Sequence, residues 1–178
     1  MSNGWVCPQC GLDYDTISPH DAIVAIRSYP RRYRDVLGDL DDPARVEMLR
    51  RRPDPTTWSA LEYTAHVRDV LGWMAEAFLR ILREDNPKID YTDPDHRAAA
   101  DHYSEQDPEV VLEGVATNAE RAAAALEQAT PDDWTRKATF SWGQRDLLTM
   151  ARNAVHEGYH HLRDIEKVLQ QVRGRVDN

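Results

Sequence analysis

Four long stretches of the chain carry apolar side chains every three or four residues, the period of an amphipathic helix. The first opens at Ser18-Pro19-His20-Asp21: a hydroxyl to cap the helix, a proline at the first helical position and a carboxylate in the first turn. Its stripe is Ile23, Ile26, Pro30, Tyr33, Leu37 and Leu40, and Pro30 is expected to kink or interrupt it. The second follows Trp58 with a capping box from Ser59 to Glu62, and its stripe is Tyr63, Val67, Val70, Met74, Ala77, Phe78 and Ile81. The third starts at Asp107-Pro108 and continues Leu112, Val115, Ala119, Ala122, Leu126, Ala129. The fourth is expected to begin with another capping box, Ser141 to Gln144, and to run Leu147, Ala151, Ala154, Gly158, Leu162, Ile165, Leu169. No stretch shows a convincing strand alternation. The pattern predicts an all-α fold: a four-helix bundle over residues 18–175, long connections after the second and third helices, and an irregular amino-terminal segment over residues 1–17.

Composition narrows the function. At 178 residues one domain is expected, and 41% hydrophobic residues are enough for a real core. A net charge of −9 argues against nucleic acid as a partner, because phosphate binding needs a basic surface. No apolar run approaches the ~20 residues of a membrane span, and the start, Met1 to Cys10, lacks the basic and apolar regions of a signal peptide. The expectation is a cytoplasmic protein with reduced thiols and no membrane partner.

The candidate chemistry lies in His156-Glu157-Gly158-Tyr159-His160-His161. Each helical residue turns by about 100°. Glu157 and His161 therefore stand one above the other on the flank of the fourth apolar stripe. His156 and His160 form a second pair, turned roughly another 100° toward the polar side. On the second helix His66 lies on the flank of its stripe, with Glu62, Asp69 and Trp73. In a bundle, His66 and the Glu157/His161 pair can meet across two helices as metal ligands; the alternative is a lone groove histidine. Trp73, about two turns beyond His66, and Arg163, beside the motif, are the candidate substrate contacts. His156-Glu157-x-x-His160 also spells a zinc-protease signature. Such a site needs a third ligand, and downstream of His161 only Asp164 and Glu166 on the same helix and Asp177 at the chain end offer a carboxylate.

Trp58-Ser59-Ala60-Leu61-Glu62-Tyr63-Thr64-Ala65-His66 followed by Asn153-Ala154-Val155-His156-Glu157-Gly158-Tyr159-His160-His161-Leu162-Arg163-Asp164-Ile165 resembles the DinB/YfiT-like superfamily of bacterial four-helix metalloproteins. That family pairs a histidine on its second helix with H-x-x-x-H or E-x-x-x-H on its last, a motif that continues as H-x-x-Q-I or H-x-x-D-L. His161-Leu162-Arg163-Asp164-Ile165 fits the continuation. The resemblance selects His66, Glu157 and His161 as metal ligands and catalytic residues, the His-Glu-His set of the mycothiol-dependent maleylpyruvate isomerase branch. It implies a divalent metal, zinc or else nickel, and a low-molecular-weight thiol such as mycothiol as cosubstrate. The activity implied is thiol transfer to an electrophile, or its isomerisation. The competing class is a non-catalytic metal-holding stress protein that forms a homodimer; the remote one is a zinc hydrolase of the His-Glu-x-x-His type. Thiol-dependent loss of an electrophile in the presence of zinc separates them.

Cys7 and Cys10 are the two cysteines, in Cys7-Pro8-Gln9-Cys10-Gly11, one half of a zinc knuckle. The other half is missing. The unused pair His156 and His160 is the candidate to complete a Cys2His2 structural metal site, with two free thiols as the alternative.

Overall fold

The computed structural model describes residues 5–176; residues 1–4 of the expected amino-terminal segment lie outside this range, as does Asp177. The long helices are α1 (Pro19–Leu37), α3 (Ala60–Arg83), α5 (Pro108–Leu126) and α6 (Leu147–Val176), with shorter α2 (Pro43–Arg50) and α4 (Pro94–Ala100) between them. Both α1 and α3 pack against α5 and α6, which leaves α1 diagonal to α3 and α5 diagonal to α6. The connections that carry α2 and the hairpin described below therefore cross the bundle. The long connection after α3 does not, for it joins the neighbours α3 and α5. No helix among the described residues is long and apolar enough to cross a membrane.

Three helix starts form as their sequence dictates. Ser18 and Asp21 make a reciprocal capping box on α1, Ser59 and Glu62 make another on α3, and the Asp107 carboxylate caps α5 ahead of Pro108. The predicted stripes face inward: Ile26, Tyr33 and Leu37 of α1, Val67, Met74, Phe78 and Ile81 of α3, and Leu147, Ala151, Leu162 and Ile165 of α6 share one core.

Three expectations are corrected. First, α1 runs through Pro30 without interruption. The proline lacks one N–H, a cost of about 3 kcal/mol or more in a helix interior. On either side of it, Tyr29 and Tyr33 are fully buried, and their hydroxyls donate to the carbonyls of Val155 (2.6 Å) and Gly158 (2.9 Å) on α6. Tertiary packing holds the helix where local propensity would end it. Second, Ser141 does not cap α6. Lys137–Phe140 (β1) and Gly143–Asp146 (β2) form an antiparallel hairpin whose turn is Ser141-Trp142, and the Asp146 carboxylate accepts from the Thr149 amide at the true helix start. Four-residue strands, the second of them polar, carry too little alternation to be read. Third, the connection over residues 41–57 contains α2, and that over residues 86–106 contains α4 and a 3-10 turn at Tyr103–Glu105. The latter is tied down by Asp69, which accepts from the Tyr103 hydroxyl at 2.6 Å and from Arg68 Nε at 2.7 Å.

Candidate metal centre

Because α3 and α6 are neighbours, His66 reaches the Glu157/His161 pair across the groove between them. One ligand atom from each of His66, Glu157 and His161 lies within 4.8 Å of the others. Glu157 Oε2 stands between the two rings, 3.4 Å from His66 Nε2 and 3.4 Å from His161 Nε2. The imidazole planes are nearly perpendicular, with centroids 5.0 Å apart. Aromatic neighbours fix both rings: Trp58 lies 5.2 Å from His66, and Tyr63 stacks on His161 at 5.2 Å. His66 is 5% exposed, whereas 31% of the Glu157 side chain is open.

The electrostatics match a cation site. Burial alone would raise Glu157, but hydrogen bonds from His161 and His66 outweigh it and hold the carboxyl well below its ordinary range. Burial would likewise depress His161; Asp164 and Glu157 reverse this and push it up to about 9. His161 Nδ1 lies 3.0 Å from Asp164 Oδ2, the geometry of an N–H donated to a carboxylate, which leaves Nε2 to face Glu157. A carboxylate behind a histidine is the usual way to fix the tautomer of a metal ligand. Residue types, convergence and bracing fit a divalent ion of the zinc class.

The second histidine pair faces elsewhere. Cys7, Cys10, His156 and His160 also bring one ligand atom each to within 4.8 Å of one another. Cys7 is 4% exposed and Cys10 9%. Burial of the Cys7 thiol would raise its pKa, but the amides of Cys10 and Gln9 that bond its sulfur bring it below the ordinary thiol value; burial pushes Cys10 up. Burial lowers the pKa of His156 below the ordinary histidine value. Glu157 therefore does not serve with His156 and His160 as one protease-type set; the three side chains divide between two clusters.

Trp73 and Arg163 do not join the trio. Trp73 donates to the Asp90 carbonyl at 2.8 Å and packs against Tyr91, Phe140 and Trp142, in an aromatic cluster that joins α3 to the hairpin. Arg163 pairs with Glu166 and lines a cavity of about 630 Å³ with Arg32, Tyr159 and Arg173. A smaller cavity of about 460 Å³ is lined by Trp5, Tyr14, Trp142, Arg145, Arg152 and Asn153. Asn153 is one helical turn before Glu157, on the same face. Reading single helices could not find this cavity, because the amino-terminal segment, the hairpin and α6 build it together. Asp164 is a further residue whose role was missed. Its spacing of i, i+3 from His161 was visible, but its service as a brace depends on ring orientation.

No curated protein matches the sequence. Among solved structures, YfiT from Bacillus subtilis, described as a probable metal-dependent hydrolase with an unusual four-helix bundle topology, superposes with a TM-score of 0.76 at 17% identity, covering 88% of this chain and 90% of that one. The mycothiol-dependent maleylpyruvate isomerase matches with a TM-score of 0.61 at 16% identity, and a mutant of it with 0.66 at 15%; each covers 85% of this chain, which spans 62% of the longer isomerase chain. At such identities the structures show a shared fold. The sequence profile of the DinB superfamily matches residues 26–165, most of the chain and the whole of the helical groove, and by that match the chain belongs to the DinB superfamily.

Proposed function

We propose that the chain holds a divalent metal ion with His66, Glu157 and His161 and uses it to activate a low-molecular-weight thiol toward an electrophile, by transfer or isomerisation. The observation that carries this reading is the position of Glu157 Oε2, 3.4 Å from each of two imidazole nitrogens on different helices. A cation on three protein ligands keeps a position for a small molecule and deprotonates a thiol bound there.

The chain's own residues prepare that position. Asp164 orients His161, while Trp58 and Tyr63 keep water from the sides of the rings. The 460 Å³ cavity, one turn along α6, offers aromatic walls, Arg145 and an Arg152 paired with Asp15 to a polar thiol or electrophile. Mycothiol is the thiol named for maleylpyruvate isomerase, whose fold this chain shares. YfiT, named as a probable metal-dependent hydrolase, favours a second reading, in which water takes the place of the thiol at the same three ligands.

The test has two parts. His66→Ala is expected to lose the groove metal while its far-ultraviolet circular dichroism stays that of the wild type. A panel of mycothiol and other small thiols, assayed with zinc and carbonyl or alkyl electrophiles, should give turnover that follows metal occupancy and vanishes in Glu157→Ala. Metal content unchanged in His66→Ala would reject the ligand set. Turnover of esters or amides without any thiol would select the hydrolytic reading.

A further inference from the structure

We propose that Cys7, Cys10, His156 and His160 form a second, closed metal site that takes a zinc-class cation and clamps the amino-terminal segment onto α6. Its ligands are all different from the three of the groove.

Three geometric observations converge on it. The four ligand atoms lie within 4.8 Å of one another, with Cys7 Sγ 3.6 Å from His160 Nδ1. A closed set of two sulfurs and two imidazole nitrogens is what tetrahedral zinc takes in structural sites. The cysteine segment is already folded as a knuckle. Gly11 N donates to the Cys7 carbonyl at 2.8 Å, Cys7 N donates to the Leu12 carbonyl at 2.9 Å, and Gly11 takes φ +75°, a conformation that glycine accepts without a steric penalty. Most telling is His156. Among the described residues its Nε2 is the buried side-chain polar atom with no hydrogen-bond partner. Such an atom calls for an explanation, and a bound ion is one of the few available.

The surroundings hold the ligands in place. Trp5 and Tyr14 pack their rings on His156, with centroids 5.2 and 5.8 Å away. On its other side His160 is braced by Asp164, whose Oδ2 lies 3.4 Å from Nε2, so Nδ1 is left to face Cys7. Arg152 Nε donates to the Ile17 carbonyl at 3.0 Å, securing the segment at its far end. Four protein ligands leave no position for a substrate, so the site is structural. Its effect is to keep Trp5 and Tyr14, two walls of the 460 Å³ cavity, in position.

Cobalt(II) reports the site directly, because thiolate coordination gives it an intense near-ultraviolet charge-transfer band. Metal-free full-length protein, kept reduced, is titrated with cobalt alone. The expected result is a thiolate band that saturates at one equivalent in the wild type, persists in His66→Ala and disappears in Cys7→Ser/Cys10→Ser. Should that double variant fail to fold, alkylation of the wild type decides: zinc should protect both Cys7 and Cys10 from iodoacetamide, as read by mass spectrometry. Absence of the band at saturating cobalt, or equal alkylation of both thiols with and without zinc, overturns the proposal. A thiolate band with total uptake of one cobalt rather than two would keep this site and reject the groove reading instead.

Discussion

Asp164 does more than its place in the sequence suggests. One carboxylate oxygen lies 3.0 Å from His161 Nδ1 and 3.4 Å from His160 Nε2, so a single side chain stands behind one histidine of each cluster. Burial would raise its pKa, but the hydrogen bond from His161 and the charges of His161 and His160 hold it below the ordinary carboxylate range. Removal of such a partner usually costs ~10–100-fold in metal affinity. Asp164→Asn keeps the shape and removes the charge. It is expected to weaken metal binding by about that factor, measured by competition with a chelating dye, while helicity is unchanged. Wild-type affinity in the variant would mean that packing alone orients the two rings.

At the scale of the element, α3 shows how a helix start can double as a tertiary anchor. Glu62 returns to the Ser59 amide at 2.8 Å, and the same carboxylate accepts from Arg52 Nε at 2.8 Å. Its side chain is 4% exposed. Burial opposes ionisation, yet Arg52 and Ser59 outweigh it, so the folded-state pKa lies below the unfolded one. A depressed carboxylate contributes stability above its unfolded pKa and loses it as pH falls through the folded value. Glu62→Gln retains the cap geometry but lacks the charge. At neutral pH it should be less stable by about 1–3 kcal/mol, from the loss of a charge-assisted hydrogen bond. The difference should shrink as pH falls from the unfolded-state pKa through the lower folded-state one. Urea unfolding from neutral to acid pH checks this; a difference constant with pH would assign the effect to the cap alone.

At the scale of the whole molecule, the approach of α1 to α6 determines where the site residues stand. Gly158 follows Glu157 on α6, and the Tyr29 ring occupies the space a side chain would take there. A Cβ at residue 158 would meet Tyr29 Cε2 at 2.3 Å and Cζ at 2.4 Å. Two effects oppose each other in Gly158→Ala. The gain in helix propensity is about 1 kcal/mol. Overpacking costs roughly 1–3 kcal/mol, and more where the neighbour is rigid. Tyr29 is fully buried and hydrogen-bonded to Val155, so it cannot swing away and the clash wins. Gly158→Ala is expected to unfold at lower denaturant, with a net loss of up to ~2 kcal/mol, and to bind metal more weakly as α6 shifts. A variant as stable as the wild type would show that α1 yields easily.

Periodicity alone determined the four long helices, and cap chemistry placed three of their starts, because both depend on residues within one or two turns of each other. The same helical arithmetic separated Glu157/His161 from His156/His160, since an angular offset of about 100° belongs to the helix and not to its neighbours. Tertiary structure alone decided the rest. Which helix faces which is set by packing: α1 and α3 stand diagonally, and so His66 meets α6. Pro30 stays helical because two tyrosines anchored on α6 hold it, a long-range cause that local propensity does not contain. The hairpin before α6 forms through pairing and burial of Ala138 and Phe140, not through the strength of its own pattern. Trp73 and Arg163 lie near the motif in sequence but in other clusters in space, because the groove is formed by facing surfaces and proximity along a helix does not specify them.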